Sequence, residues 1–213
     1  MKTSMQQIIP FNALPDALST LDNGGRFYNL LTKSDDGNIS IEELSKVAGL
    51  FSSRQQMVLY YAMSVATLAQ DVKQQVDAAL TKDAQVAYNR YAPQLLIASE
   101  AATKGILASN AIVTGVPKLV ETKSDFNGFI IVPIMAGKAM SMILIPIIDK
   151  YDIYEMRDDE SSETVLIAHA RGDEKLPAQK IRAGGIFKEL KLKKDNSETS
   201  TLFLETLYYS IAG

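Results

Sequence analysis

Hydrophobic and polar positions repeat with one period in the first part of the chain and another in the second. Val58, Tyr61, Val65, Leu68, Val72 and Val76 recur at spacings of three and four. That spacing puts them on one face of a helix running from about Arg54 to Leu80. Gln70, Asp71, Lys73, Gln74 and Asp77 supply its polar side. Pro15-Asp16 suits the first turn of a short helix ending near Leu21, where Asp22-Asn23-Gly24-Gly25 turns the chain. Thr81 can cap a helix over Lys82–Tyr91, and Pro93 can open another to about Ala108. Asn110 to Asn127 reads as a connection.

Beyond it the period shortens. Tyr151–Met156, Thr164–Ala170, Gln179–Arg182, Ile186–Lys193 and Thr201–Ile211 are strand patterns separated by turn residues, Gly184-Gly185 among them. The expected fold is therefore α+β. An N-terminal helical layer or bundle, residues 1–124, precedes an antiparallel β-sandwich or small barrel of about seven strands, residues 125–213.

The stretch Phe129–Ile148, FIIVPIMAGKAMSMILIPII, separates the two patterns. Its length fits a membrane helix of about 20 residues. Pro133, Gly137, Pro146 and the β-branched residues argue for two strands turning at Gly137-Lys138. Both alternating sets of positions are apolar, so the hairpin is expected to be covered on both sides, with the Val58–Val76 stripe as one cover.

One segment carries a motif. Phe27 to Phe51, FYNLLTKSDDGNISIEELSKVAGLF, resembles an EF-hand: helix, calcium loop, helix. With Gly37 at the loop glycine, the resemblance implies Thr32, Ser34, Asp36, Asn38, Ser40 and Glu43 as the metal ligands and weakly bound Ca²⁺ as the one candidate cofactor. Leu30, Leu31, Leu44, Val47 and Leu50 match the apolar positions of the flanking helices. Thr32 and Ser34 depart from the family's acidic ligands, leaving Asp36 and Glu43 as the charged pair, and affinity follows ligand charge. The same residues have a second reading. Asp36-Gly37 is a turn, and Ser40-x-x-Glu43 is a capping box that gives Glu43 a structural task without calcium.

Composition narrows the function. The chain has 213 residues, 46% hydrophobic and 22% charged, with net charge −3 and no cysteine. Disulfides, thiolate metal sites and a cysteine nucleophile are excluded. The charge has the wrong sign for a polyanion-binding surface, so nucleic acid is disfavoured as a partner. Lys188, Lys191, Lys193 and Lys194 alternate with Leu190 and Leu192 as a strand's outer face would. His169 is the single histidine and lacks metal-site partners. The acidic turn Asp158–Glu160 reads as solvated. No catalytic constellation stands out. The reading is a soluble, non-catalytic protein binding an unknown protein or small ligand; the alternative is a membrane-active protein that inserts its hairpin. The N-terminus lacks a signal-peptide pattern, which makes the cytoplasm the default location and leaves signal-independent secretion open.

Overall fold

The computed structural model describes residues 5–22, 36–49, 53–121, 128–136, 139–146, 151–159, 161–170, 174–194 and 197–212. Side chains at 121, 128–136, 139–146 and 190–199 fall outside the description. The described residues form six helices and nine strands, an α+β fold with the helices mostly N-terminal and the strands mostly C-terminal. Two compact units result: Ile8–Pro93, and Met1–Gln7 with Gln94–Gly213.

The first unit is helical: α1 Leu14–Leu21, α2 Ile41–Val47, α3 Arg54–Ser64, α4 Gln70–Ala79 and α5 Lys82–Tyr91. The start signals at Pro15 and Ser40 work as read; Thr81 precedes α5 as expected, but its side chain makes no capping hydrogen bond. Pro15 lies in the first turn of α1, Ser40 forms a complete capping box with Glu43, and the Ser53 hydroxyl accepts the Gln56 amide. Val58, Tyr61, Val65, Leu68 and Val76 are buried together with Ala17, Leu21, Ile39, Ile41, Leu44 and Leu80. The stripe expected to cover the hairpin thus lies in its own unit's core.

That stripe is not one helix. It breaks between Ser64 and Gln70, where sequence offers no glycine or proline. The cause is tertiary. The Phe11 amide donates to the Ser64 carbonyl at 2.8 Å, and the Thr67 hydroxyl donates to the Phe11 carbonyl at 3.0 Å. The first bond takes up the Ser64 carbonyl, which a continuing helix would use internally, and the second holds Phe11 in place.

The second unit contains β1 Gln6–Gln7, β2 Gln94–Ile97, α6 Ala98–Lys104, β3 Asn110–Glu121, β4 Gly128–Ala136, β5 Ala139–Pro146, β6 Tyr151–Arg157, β7 Thr164–Ala170, β8 Ile181–Lys194 and β9 Ser197–Ile211. The segment after Pro93 is a short strand and a short helix, not the single helix expected. Asn110–Glu121, read as a connection, is the strand that pairs with both β8 and β6. Residues flanked by Gly115 and Pro117 gave no alternating signal, because both neighbours on the sheet are supplied from far along the chain.

The sheet is mixed rather than wholly antiparallel: β1–β9, β2–β3 and β7–β9 are parallel. Pairings run in a circuit, β3–β6–β7–β9–β8 and back to β3. The remaining strands hang from this circuit, so it is not a regular barrel. Its core gathers Ala111, Val113, Tyr154, Met156, Val165, Ile167, Ile181, Ala183, Phe187, Leu204 and Tyr209, with Ala98 and Ala101 of α6. The Gly184-Gly185 pair, expected as a turn, lies inside β8 and faces a bulge in β9, where Leu207 is the extra residue. A Cβ at Gly185 would lie 2.2 Å from the Glu205 carbonyl oxygen, so this approach demands glycine.

The apolar hairpin is a hairpin. Ala136 faces Ala139 across residues 137–138, as the strand reading requires. Pro133 faces Met142 and Pro146 faces Phe129, two pairs of the same parity. Proline cannot donate, so these are the pairs that make no bond between β4 and β5, and both proline nitrogens point away from the partner strand. On the β8 side β4 is paired only through Ile131, opposite Glu189. The next stretch of that β8 edge is taken: the Phe187 amide donates to the Ser109 carbonyl at 3.0 Å, and Asn110 of β3 pairs with Ile186. The expected burial of the hairpin's side chains lies outside the described residues.

Candidate functional site

Thr32 and Ser34 of the EF-hand-like loop lie outside the described residues, as do Leu30, Leu31 and Leu50. Asp36, Gly37, Asn38, Ser40 and Glu43 are described, and several of their polar atoms bond within the protein. The Asn38 amide and side-chain nitrogen donate to Asp36 Oδ1 at 2.9 and 3.3 Å, closing a local Asx turn. Gly37 takes φ +80°, the left-handed conformation for which glycine is suited. Glu43 is 2% exposed, and its Oε2 accepts both the Ser40 amide at 2.8 Å and the Ser40 hydroxyl at 2.9 Å. The capping-box reading therefore describes Glu43's contacts.

A residue that sequence reasoning passed over organises this turn. Asp22, the residue closing α1, is 4% exposed. Its Oδ2 accepts the Gly37 amide at 2.7 Å and its Oδ1 the Asp36 amide at 3.3 Å. Sequence marked Asp22 only as the first of four turn residues; fourteen intervening positions hid its reach. Behind the turn, Ile39 makes an isolated parallel bridge to Leu80: its amide donates to the Ala79 carbonyl and its carbonyl accepts the Thr81 amide. The loop is thus anchored by α1 on one side and by the α4–α5 connection on the other. Among the described residues, no group of three or more His, Asp or Glu side chains is arranged to hold a metal ion.

Other polar clusters have structural roles. The Tyr61 hydroxyl donates to Asp77 Oδ1 at 2.6 Å, and its ring packs edge-on against Tyr88 at 5.7 Å. Burial, then the neighbouring Asp77 carboxylate, push the Tyr61 phenol well above its ordinary range. In the β unit, His169 is 1% exposed. The Leu176 amide donates to Tyr154 Oη at 3.2 Å, and that oxygen lies 3.3 Å from His169 Nε2. The other ring nitrogen, Nδ1, lies 3.0 Å from the Ala170 carbonyl oxygen. Burial raises the Tyr154 phenol. The single histidine is thus buried against Tyr154, whose hydroxyl holds the Leu176 amide.

The acidic turn is not merely solvated. Asp158 accepts the Ser99 amide in the first turn of α6 at 2.6 Å and the Ser161 amide at 3.1 Å. Asp159 pairs with Lys180 at 2.9 Å. Lys188 pairs with Glu205 at 2.5 Å, and Glu205 also accepts the Tyr151 hydroxyl at 3.2 Å. Glu160 lies outside the described residues. No described helix is long and apolar enough to cross a membrane. No family model matches the chain, and no curated protein matches it.

Proposed function

We propose that this chain is a non-catalytic interaction protein whose contact element is the β4–β5 hairpin. One observation carries the reading: among the described residues β5 pairs with β4 alone, and β4 past Ile131 pairs with β5 alone. From the proline parity, the N–H and C=O groups of Met140, Met142 and Leu144 face away from β4. An uncharged edge with unused backbone groups is a template for an added strand. Main-chain bonds would supply affinity there, and alternate side chains the selectivity. A protein segment of extended, apolar character fits this edge; nucleic acid does not.

The test uses the direction of the Met142 amide. Met142→Pro removes a donor on the outer edge while leaving every bond between β4 and β5 in place. Ile143→Pro removes a donor inside the hairpin. Selection from a random peptide library should enrich extended apolar peptides on the wild type and lose them on Met142→Pro, with the melting temperature little changed. Equal enrichment on Met142→Pro, or none on the wild type, would overturn the reading.

The second reading is insertion of the hairpin into a membrane. Its strands, nine and eight residues long, approach the roughly 9–11 residues of a membrane-crossing strand. A lone hairpin has two open edges, so insertion would need several copies closing into a barrel. Flotation with liposomes and dye release from them would favour this reading over the first. The interaction reading also includes weak calcium binding at the loop bearing Asp36 and Glu43, in the range of roughly 10⁻⁴–10⁻³ M, and residence in the cytoplasm.

A further inference from the structure

We infer that the sheet face bearing Arg182 and Ser210 binds a small oxyanion, a phosphate or a carboxylate. Arg182 on β8 stands directly opposite Ser210 on β9, and on its other side directly opposite Thr114 on β3. Directly opposed residues project from the same face, with Cβ atoms about 4.5–5.5 Å apart. One row across three strands therefore carries a guanidinium flanked by two hydroxyls, and each can donate a hydrogen bond.

These donors are unspent. Arg182 Nη1 and Ser210 Oγ are sealed from water, and neither has a hydrogen-bond partner. Ser210 is 0% exposed. Among the described residues the Arg182 side chain makes no hydrogen bond or ion pair, whereas Lys104, Arg157, Lys180 and Lys188 are each matched to a carboxylate. A sealed donor left unmade costs about 1–3 kcal/mol, and more when it is charged. A cation held partly out of water calls for an anion. Arg182 as a whole is only half-buried, so it can be approached from solvent.

The arrangement is built by a distortion of the sheet. Up to Gly185↔Thr206 the two strands pair in one register; from Gly184↔Tyr208 onward the register has moved by one residue. Continued without the bulge, the first register would set Ser210 opposite Ile181, a core residue. The bulge instead turns Ser210 onto the face of Arg182 while Tyr209 and Ala183 stay in the core. Bulges that re-aim a side chain are common beside binding sites. Guanidinium suits planar, two-point contact with carboxylate or phosphate oxygens, and the serine hydroxyl adds a further donor. This site lies on other strands than the hairpin edge and stands or falls separately from it.

The test is thermal unfolding of the full chain in rising inorganic phosphate or acetate, with ionic strength held by chloride. The melting temperature should climb with one or both anions beyond the chloride control. A response to phosphate alone assigns a phosphate ligand, and a response to acetate alone a carboxylate. Arg182→Gln should weaken the response by about tenfold or more in anion concentration, and Ser210→Ala by a few-fold. Ser210→Ala removes a single atom, so it reports on the site even if the arginine variant does not fold. No shift beyond chloride in the wild type, or wild-type responses in both variants, would overturn the inference.

Discussion

Replacing Asp22 by alanine is the sharpest test of what organises the EF-hand-like turn. The substitution removes the acceptor of the Gly37 and Asp36 amides, at 2.7 and 3.3 Å, and leaves the side chains of Asp36 and Glu43 untouched. A hydrogen bond to a charged acceptor is worth about 1.5–3 kcal/mol. The Gly37 bond is short enough to count in full; the Asp36 bond is long, and residues 36–38 are exposed, so water can take over part of the loss. The expected cost is about 2–3 kcal/mol. For a chain of this size, 1 kcal/mol moves the melting temperature by roughly 2–4 °C, so Asp22→Ala should melt roughly 4–12 °C lower. Asp22→Asn keeps one carbonyl acceptor and should fall between. The measurement is thermal unfolding by circular dichroism, with chelator and then with millimolar calcium. If the protein's own carboxylate holds the turn, the loss persists in calcium. A shift under about 1 °C, or full recovery on adding calcium, would refute the reasoning and return the turn to the metal.

Three further outcomes are expected. Calorimetry should find calcium binding to the wild type no tighter than roughly 10⁻⁴ M, and Glu43→Gln should remove what binding there is while preserving the helix start, since glutamine also serves at that capping-box position. Tyr61→Phe should cost about 1.5–3 kcal/mol at neutral pH through the lost bond to Asp77. Because the folded phenol is held above the unfolded value of about 10, its stabilisation is complete below that pH and is lost as pH rises beyond it, so the variant should show a flatter alkaline limb in stability against pH. Gly115→Ala should destabilise by about 1–3 kcal/mol, because the new Cβ would lie 2.5 Å from the Arg157 carbonyl oxygen and 2.7 Å from Met156 Cγ; chemical denaturation measures it.

What the sequence determined by itself was local. Pro15 and Ser40 mark helix starts because capping is settled within four residues. Thr164–Ala170 and the pairing of Phe129–Ala136 with Ala139–Pro146 follow from alternation and turn chemistry, which depend on near neighbours. The α+β class followed from the change of period. Tertiary structure decided the rest. The helix expected through Leu80 stops at Ser64 because Phe11 claims its carbonyl from over fifty residues away. The turn at Gly37 depends on Asp22, which no spacing rule connects to it. Asn110–Glu121 becomes a strand through partners found at 153–157 and 181–186. Gly184-Gly185 looks like a turn on its own, yet the close approach of β9 makes it strand, opposite a bulge at Leu207. That bulge brings Ser210 beside Arg182. Hydropathy can report that a residue prefers water or its absence; it cannot report which distant strand arrives to make the choice.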